Sequence, residues 1–168
     1  MNTVPLTEEN IDLVSGFCCG KEGLDNYLKE QALKDQEDHK ATTTLIIKTY
    51  KGITSLIGFY TLKNTCILFR SANTVRGYPA IEIVFLAIDK KYQRKGLGSK
   101  VLKKIIYKSI EISRSFSAIT VLILSSEQDA VGFYKKNRFI DFPYVFEILY
   151  DDCRTSTIPL LLNLIYEE

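Results

Sequence analysis

The stretch that decides the fold is AIEIVFLAIDKKYQRKGLGSK, residues 80–100. Its first half, Ala80 to Asp89, is apolar on both alternating faces except at Glu82, which is typical of a central strand covered on both sides. The second half contains two glycines and then enters a run with apolar residues at helical spacing. The segment therefore predicts a buried strand, a glycine-containing loop and a helix, in that order.

The loop of this segment, Gln93 to Gly98, has the properties of an anion-binding site. The first N–H groups of a helix lack partners within the helix, and the helix dipole is positive there. Gly96 and Gly98 lack Cβ atoms, so a phosphate can approach the backbone closely. The loop is not the P-loop of nucleoside triphosphatases, because the two glycines are too close together and Gly98-Ser99-Lys100 has the wrong order. A plain turn remains the alternative.

The composition is that of one soluble globular domain, expected to span residues 1–168. Hydrophobic residues make up 46% and charged residues 25% of the 168 residues. No apolar run reaches the length of about 18 residues that a membrane span needs. The N-terminus lacks the basic-then-apolar pattern of a signal peptide. We expect a cytoplasmic protein that does not contact membranes.

The cysteines and the histidine give no metal-site pattern. Cys18, Cys19, Cys66 and Cys153 form no CxxC pair, and His39 is the one histidine. We therefore expect reduced thiols and no metal. Cys66 and Cys153 also lie outside the motifs described below, which argues against a cysteine nucleophile.

The charge is distributed unevenly although the net charge is only +2. Residues 1–40 hold nine acids and four Lys or Arg, whereas the remaining residues hold 18 Lys or Arg and 11 acids. Within residues 90–114 there are nine cations against Glu111 alone. This favours a polyanionic ligand, with a solvated helix face as the alternative.

The first half of the chain predicts one helix followed by strands. Apolar residues at helical spacing predict a helix from about Glu22 to Asp38. TTTLIIKTY and SLIGFYTLK predict two strands around Lys51-Gly52, and CILFR a short further strand. SANTVRGYP is expected to be a polar loop, with Gly77 and Pro79 as breakers.

The second half predicts alternating helices and strands. A helix with one apolar face from Leu97 to Ile110 is followed by the strand SAITVLILS and by a helix in SEQDAVGFYKKNRF that Ser126 could cap. FIDFPYVFEILYD and STIPLLLNL are expected to be two closing strands, with Pro159 at an edge or bulge. The predicted order is α-β-β-β-α-β-α-β-β, a mixed α/β sandwich.

Two motifs in this order resemble the GNAT acetyltransferase superfamily. Gln-x-x-Gly-x-Gly after VFLAID resembles its acetyl-coenzyme A binding segment, and AVGFYKKNRF resembles its Ala-x-x-Phe-Tyr-x-x-x-Gly-Phe segment. The resemblance covers about Ile81 to Phe139. It implies the GNAT fold, an α/β fold with a mixed, mostly antiparallel central sheet flanked by helices on both faces. It also implies acetyl-coenzyme A as cosubstrate, with no metal.

The resemblance assigns roles to the strand end and to the loop. The backbone of residues 86–88 would pair with the pantetheine arm, and the amides of residues 94–99 would hold the pyrophosphate. The cofactor-binding residues implied in this way are Leu86, Ala87, Ile88, Gln93, Arg94, Lys95, Gly96, Leu97, Gly98, Ser99 and Phe133.

Two residues are candidates for catalysis. Tyr134 matches the tyrosine that protonates the departing thiolate in the superfamily. A phenol with a pKa of about 10 stays protonated at neutral pH. A core aromatic beside Phe133 is the alternative. EIVFLAI is similar to a stretch of the histone lysine acetyltransferases, which implies Glu82 as general base; a strand-end glutamate in solvent or in a salt bridge is the alternative.

The chain departs from the family pattern at two positions. Arg138 stands where a glycine usually precedes Phe139, and a positive φ there would cost on the order of 1 kcal/mol. Asn137 is expected as the residue that could take the turn instead. Glu127 occupies the position of an asparagine that often contacts the cofactor, which puts that contact in doubt.

A second resemblance narrows the family. FCCGKEGLDNYLKEQALKDQ, residues 17–36, looks like a segment of a bacterial GNAT subgroup that includes toxins acetylating aminoacyl-tRNA, and RGYPAIEI partly matches it. The presence of Glu82 argues against a toxin, because the toxins generally lack an obvious general base. An aminoacyl-tRNA acceptor would use the lysine face of residues 97–108, where Tyr107 is the one aromatic.

The sequence therefore predicts an N-acetyltransferase that transfers acetyl directly to a primary amine. The acceptor stays open between a small amine, a protein lysine and aminoacyl-tRNA. A non-catalytic coenzyme A binding module is the alternative, and a DNA-binding regulator is disfavoured because no helix-turn-helix pattern appears. The superfamily resemblance also suggests a homodimer, with the apolar PLLLNLIY end as its interface.

Overall fold

The computed structural model describes residues 2–142, 146–148 and 157–164. The chain divides into two compact units. The first contains Met1–Lys63 and Val84–Gly98, and the second contains Asn64–Ile83 and Ser99–Glu168. The prediction of a single domain is not tested by this division and stays a prediction.

The first unit contains an antiparallel sheet. Strand β1 (Asn2–Pro5) pairs with β2 (Thr42–Tyr50), which pairs with the first part of β3 (Ile53–Ser71). The β2–β3 connection is the two-residue turn Lys51-Gly52, with φ of 48° and 79°. Two positive φ values are those of a type I′ hairpin turn, in which glycine is favoured. The hairpin predicted from the sequence is therefore confirmed.

The N-terminal helix is interrupted by a π-helical turn. It consists of α1 (Glu22–Asn26), a π turn (Tyr27–Gln31) and α2 (Ala32–Glu37), preceded by a 3-10 helix (Glu8–Val14). The predicted single helix thus has the expected bounds, but the hydrophobic pattern did not reveal the π turn, β1 or the 3-10 helix. The buried core of this unit consists of Leu6, Val14, Phe17, Cys19, Leu28, Ala32, Leu45, Phe59 and Ala87.

The second unit contains a mixed set of strands. The first part of β4 (Thr74–Ile88) runs parallel to β5 (Val121–Ser126), and β5 pairs antiparallel with a later strand, β8 (Ile158–Asn163). Two short strands complete the set. β6 (Ile140–Asp141) pairs with β8, and β7 (Phe146–Ile148) pairs with the last part of β3. The core of this unit includes Ile67, Ala80, Val121, Ile123 and Leu161.

Two helices belong to the second half of the chain. Helix α3 (Leu97–Ser115) contains the predicted apolar face and buries Val101, Leu102 and Ile105. Helix α4 (Val131–Lys136) is much shorter than predicted. Ser126 does not cap α4, since it lies at the end of β5 and its hydroxyl donates to the Glu127 carbonyl oxygen. None of the helices in the described residues is both long and apolar enough to cross a membrane.

The expected loop SANTVRGYP is mostly strand. β3 continues through CILFR without a break to Ser71, and β4 begins at Thr74. Gly77 does not break the strand; a Cβ atom there would lie 2.9 Å from the Cys66 sulfur. Glycine thus fits where the neighbouring thiol comes close. The prediction of a polar loop was wrong because glycine was read as a turn residue rather than as a contact residue.

Pro159 lies inside β8 rather than at a free edge. It is opposite Ser125 of β5, and its carbonyl oxygen accepts a hydrogen bond from the Phe142 amide at 3.1 Å. The N–H and C=O groups of one strand residue point to the same side, so the missing donor faces Phe142. The ladder with β6 covers only Ile140 and Asp141. Pro159 therefore removes no bond from the two residue pairs of that ladder.

Candidate functional site

The loop after β4 has the backbone geometry of an anion-binding concavity. Asp89 ends the strand, and its Oδ1 atom accepts a hydrogen bond of 2.9 Å from the Lys91 amide at the start of a 3-10 turn. Arg94 and Gly96 then adopt positive φ values of 58° and 71° before α3 begins at Leu97. Alternating left-handed residues turn successive N–H groups toward a common centre, which is the geometry of an anion nest.

The amides of this loop are available to a ligand. Within the part of the chain that the structure describes, no backbone amide from residue 94 to residue 98 donates to another protein group outside helical bonding. Leu97 and Gly98 are in the first turn of α3, where amides have no partner inside the helix. Ser99, the next residue of that turn, belongs to the second unit. The first unit therefore supplies the amide donors that the sequence predicts for residues 94–98.

The Gln93 side-chain nitrogen binds two backbone carbonyl oxygens that flank the concavity. It donates to the Ile88 carbonyl oxygen at 2.8 Å and to the Cys19 carbonyl oxygen at 2.7 Å. One side chain thus ties the end of β4 to the N-terminal segment. In this structure Gln93 is a positioning residue of the loop.

Asp89 makes a second hydrogen-bonded contact between the loop and the N-terminal segment. Its Oδ2 atom accepts a hydrogen bond of 3.2 Å from the Cys18 amide, and the Cys18 carbonyl oxygen accepts one of 2.9 Å from the Lys90 amide. Asp89 is only 4% exposed. The segment FCCG, residues 17–20, is therefore bound to the loop by its backbone, which gives this motif a structural role that the sequence pattern alone did not show.

Asp25 holds the other side of the FCCG segment. Its Oδ1 atom accepts a hydrogen bond of 2.7 Å from the Cys19 amide. Burial opposes ionisation of the Asp25 carboxyl, but hydrogen bonds from Cys19, Cys18 and Gly20 outweigh it and lower its pKa. The pKa of the Cys19 thiol is raised to about 11, first by burial and then by its hydrogen bond to Asp25. Cys19 is thus a structural thiol rather than a nucleophile.

The strand end, residues 86–88, lies close to β3. The Asp89 amide donates to the Ile57 carbonyl oxygen at 2.7 Å, and the register between β2 and β3 shifts at this level. A Cβ atom on Gly58 would lie only 2.4 Å from the Ala87 carbonyl oxygen. Any side chain at position 58 would displace the strand end. Gly58 is therefore a positioning residue that the sequence analysis missed, because it stands in an ordinary strand pattern.

Of the other predicted site residues, Glu82 lies in the second unit. It is 7% exposed and stands opposite Ile123 in the parallel pairing of β4 with β5. This position excludes the expectation of a solvent-exposed strand-end glutamate. A salt bridge or a role as base stays open.

Tyr134 is held by the end of α4. The amide of Phe139 donates to the Tyr134 carbonyl oxygen, and the Arg138 amide donates to the Lys135 carbonyl oxygen. This pair of bonds is a Schellman motif, and the contact of the Tyr134 and Phe139 rings, with centroids 5.7 Å apart, is its usual apolar complement. The Phe133 ring lies 5.0 Å from that of Tyr134. The Tyr134 ring thus contacts two aromatic rings at its own helix end.

The tyrosine hydroxyl is kept protonated. Burial raises the pKa of Tyr134 to about 12, and the negative charge of nearby Glu127 adds to the rise. A phenol in this environment holds its proton throughout the neutral range, as a proton donor must. Glu127, at which the chain departs from the family pattern, thus contributes to the raised pKa of Tyr134.

Arg138 takes the left-handed turn itself. Its φ is 73°, whereas Asn137 has a φ of −100°. The expectation that Asn137 takes the turn was wrong, because the Schellman bonds place the left-handed residue at position 138. The arginine thus adopts a left-handed conformation, which glycine adopts more readily.

The described residues contain no cluster of three or more His, Cys, Asp or Glu side chains that could hold a metal ion. Cys153 lies outside the described residues, as does the end of the PLLLNLIY segment beyond Leu164.

Comparison with known families decides the identity of the fold. The sequence profile of the acetyltransferase (GNAT) family matches residues 16–139, which is most of the chain. This chain belongs to the GNAT acetyltransferase family. The family resemblance predicted from the sequence is confirmed, and so is the mixed, mostly antiparallel α/β fold.

A relative with a described activity is a tRNA-acetylating toxin of Mycobacterium tuberculosis. It is 25% identical over 138 residues, covering 79% of this chain and 81% of the toxin. A tyrosine-to-phenylalanine mutant of KacT superposes with a TM-score of 0.76 at 19% identity, over 97% of this chain and 94% of that one. AtaT complexed with acetyl-methionyl-tRNAfMet superposes with a TM-score of 0.76 at 18% identity, over 96% and 94%. These solved structures share the fold of this GNAT protein.

Proposed function

We propose that this GNAT protein transfers the acetyl group of acetyl-coenzyme A to the amino group of an aminoacyl-tRNA. The observation that carries the proposal is the similarity, over most of the chain, to a tRNA-acetylating toxin. AtaT, which shares the fold, was solved with an acetylated aminoacyl-tRNA and also with acetyl-coenzyme A. In this proposal the protein acts in the cytoplasm as a single acetyltransferase domain over residues 1–168, with a homodimer as its suggested assembly.

The loop residues fit the diphosphate of acetyl-coenzyme A. The nest formed around Arg94 and Gly96 offers amides that have no protein acceptor within the described residues, and Lys95 adds positive charge beside it. A diphosphate carries the charge and the acceptor oxygens that such donors require. The backbone of residues 86–88 would pair with the pantetheine arm, as the family resemblance implies.

The proposed chemistry is direct transfer without a covalent enzyme intermediate. The acceptor nitrogen attacks the thioester carbonyl, a C–N bond forms and the C–S bond breaks. Tyr134 would donate its proton to the departing sulfur. The nitrogen loses a proton, for which Glu82 is the candidate acceptor. An α-amino group has a pKa of about 8, well below that of a lysine, so it needs less help from a base.

A lysine or small-amine acceptor is the second candidate. The observation that favours it is the buried carboxylate of Glu82, because an ammonium with a pKa of about 10 must lose a proton before it attacks. A non-catalytic coenzyme A binding module is a third candidate. The departure from the family pattern at Arg138 does not favour it, since Arg138 itself adopts the left-handed conformation.

The role of Tyr134 is tested by Tyr134→Phe. We expect turnover to fall by about 10²–10⁴-fold, the usual contribution of a general acid, while acetyl-coenzyme A affinity stays unchanged. Tyr107→Phe is the matched control, because this tyrosine is 71% exposed on α3. Turnover of Tyr134→Phe equal to that of the control would remove the phenol from the mechanism.

A further inference from the structure

The tip of the β2–β3 hairpin and the adjacent 3-10 turn form an open pocket of about 290 Å³ in the first unit. It is lined by Lys48, Tyr50, Ile53, Ser55 and Tyr92. No step of the proposed reaction uses these side chains. We call this feature the hairpin pocket.

The hairpin pocket presents apolar surface to solvent. Tyr50 and Ile53, which stand opposite each other next to the turn, are 66% and 72% exposed. The Tyr92 ring forms part of the same lining. Two aromatic rings at an open pocket are suited to stacking with flat ligands such as nucleic-acid bases.

A lysine lies beside each of the two tyrosine rings of the hairpin pocket. The Lys51 ammonium lies 5.5 Å from the centroid of the Tyr50 ring, and the Lys95 ammonium lies 5.7 Å from that of Tyr92. Among the described residues, no ion pair involves Lys48, Lys51 or Lys95. The sequence has no Asp or Glu from residue 39 to residue 81. Each ring is thus accompanied by a cation that an acid does not neutralise.

We propose that the hairpin pocket binds single-stranded nucleotides at the acceptor end of the tRNA, with Tyr50 and Tyr92 stacking on bases and Lys48 and Lys51 contacting phosphates. This inference rests on the proposed function, because it assumes a tRNA acceptor. The combination of aromatic platforms and unneutralised cations is how proteins hold single-stranded nucleic acid.

The lysine face of α3 is the competing surface, and its chemistry fits less well. It carries one exposed aromatic residue, Tyr107, and the Lys108 ammonium there pairs with the Glu111 carboxylate at 3.0 Å. A face of cations without stacking partners suits the phosphates of a duplex stem. The hairpin pocket, with its rings, suits unpaired bases.

The test is direct binding of deacylated tRNA, measured by fluorescence anisotropy without any acetyl transfer. We expect Tyr50→Ala to weaken binding by about tenfold, as loss of one stacked base does, and Tyr50→Phe to retain wild-type affinity. Tyr107→Ala is the matched control, since the two tyrosines are similarly exposed, and should bind normally. Wild-type affinity in Tyr50→Ala, or loss of affinity in Tyr107→Ala alone, overturns the inference.

Salt dependence separates stacking from charge. Lys48→Ala should reduce the slope of log affinity against log salt by about 0.7, the value for one single-strand phosphate contact, while Tyr50→Ala leaves the slope unchanged. Lys40→Ala is the control, because the Lys40 ammonium pairs with the Asp38 carboxylate outside both surfaces, and it should leave the slope at its wild-type value. An unchanged slope in Lys48→Ala contradicts the phosphate contact.

Acetyl-coenzyme A also carries a base and phosphates, so its affinity must be measured on the same variants. We expect calorimetric titration to give the wild-type affinity for acetyl-coenzyme A in Tyr50→Ala. A loss there instead would mean that the pocket holds the adenosine of the cosubstrate, which overturns the inference. Acetylation of a small amine by a wild-type protein that binds no tRNA would overturn the proposed acceptor as well. Failure of the Tyr50 variants alone leaves the proposed function standing.

Discussion

The side-chain nitrogen of Gln93 lies 2.7 Å from the carbonyl oxygen of Cys19, which is 74 positions earlier in the chain. The same nitrogen holds the last residue of β4, Ile88. The candidate anion-binding loop of this GNAT protein is thus not a free turn between a strand and a helix. Its shape depends on the N-terminal FCCG segment. The FCCG motif and the glycine loop, which are far apart in the sequence, are therefore joined by hydrogen bonds in the fold.

The Asp89 carboxylate should be essential for the shape of the loop. In Asp89→Asn one of the two oxygens, which accept from the Lys91 and Cys18 amides, becomes a donor facing a donor. We expect a loss of about 1–3 kcal/mol in the free energy of unfolding, as for a buried polar group left unsatisfied. Urea denaturation measures this change, and calorimetry should show weaker acetyl-coenzyme A binding.

Asp38→Asn is the control for Asp89→Asn. Asp38 is in an exposed pair with Lys40, and such pairs contribute little. We expect this variant to unfold and to bind acetyl-coenzyme A like the wild type. Equal behaviour of the two variants would show that the carboxylate of Asp89 does not hold the loop.

Replacing Arg138 by glycine should stabilise the protein. Arg138 has a φ of 73°, and relief of the left-handed conformation is expected to raise the free energy of unfolding by about 1 kcal/mol. Lys136→Gly is a matched change from a cation to glycine within α4, and it should instead lower stability by about 1 kcal/mol. Thermal unfolding of both variants measures the effect. A lower melting temperature for Arg138→Gly would show that the arginine side chain contributes more than its backbone strain costs.

The Asp25 carboxylate should make stability depend on pH in the acid range. Its folded-state pKa is lowered below the ordinary value of 3.8, so its contribution is fully present above that value. The contribution is lost as the pH falls through the folded-state pKa. Urea unfolding of the wild type and of Asp25→Asn at a series of pH values should give a difference that shrinks below about pH 4. A difference that is constant or grows toward acid pH would contradict the hydrogen bonds to Cys19.

Local patterns were sufficient to predict the segment around the loop. The second half of β4, the glycine loop and the helix after it follow from a two-sided apolar run, glycines without a Cβ atom, and apolar residues at helical spacing. These are properties of neighbouring residues, which is why a helix could be predicted after the loop. The turn at Lys51-Gly52 was predicted for the same reason, since its positive φ values favour glycine at the second position.

Long-range contacts were not predictable in this way. Asp25, Asp89 and Gly58 act through partners in other parts of the chain, and an acid or a glycine in an unremarkable context gives no local signal of such a partner. The π turn in the N-terminal helix was missed because apolar spacing does not distinguish it from an α-helical turn. Gly77 was misread because its contact with Cys66 depends on the pairing of β3 with its neighbour.

The most direct test of the central claim is mass spectrometry of aminoacyl-tRNA after incubation with isotopically labelled acetyl-coenzyme A. The wild-type protein should attach labelled acetyl to the aminoacyl amino group with release of an equal amount of free thiol, and Tyr134→Phe should attach far less. A wild-type protein that releases thiol only with lysine peptides or small amines, and leaves aminoacyl-tRNA unlabelled, would contradict the proposed acceptor. The absence of any thiol release across all three acceptor classes would contradict the enzyme itself.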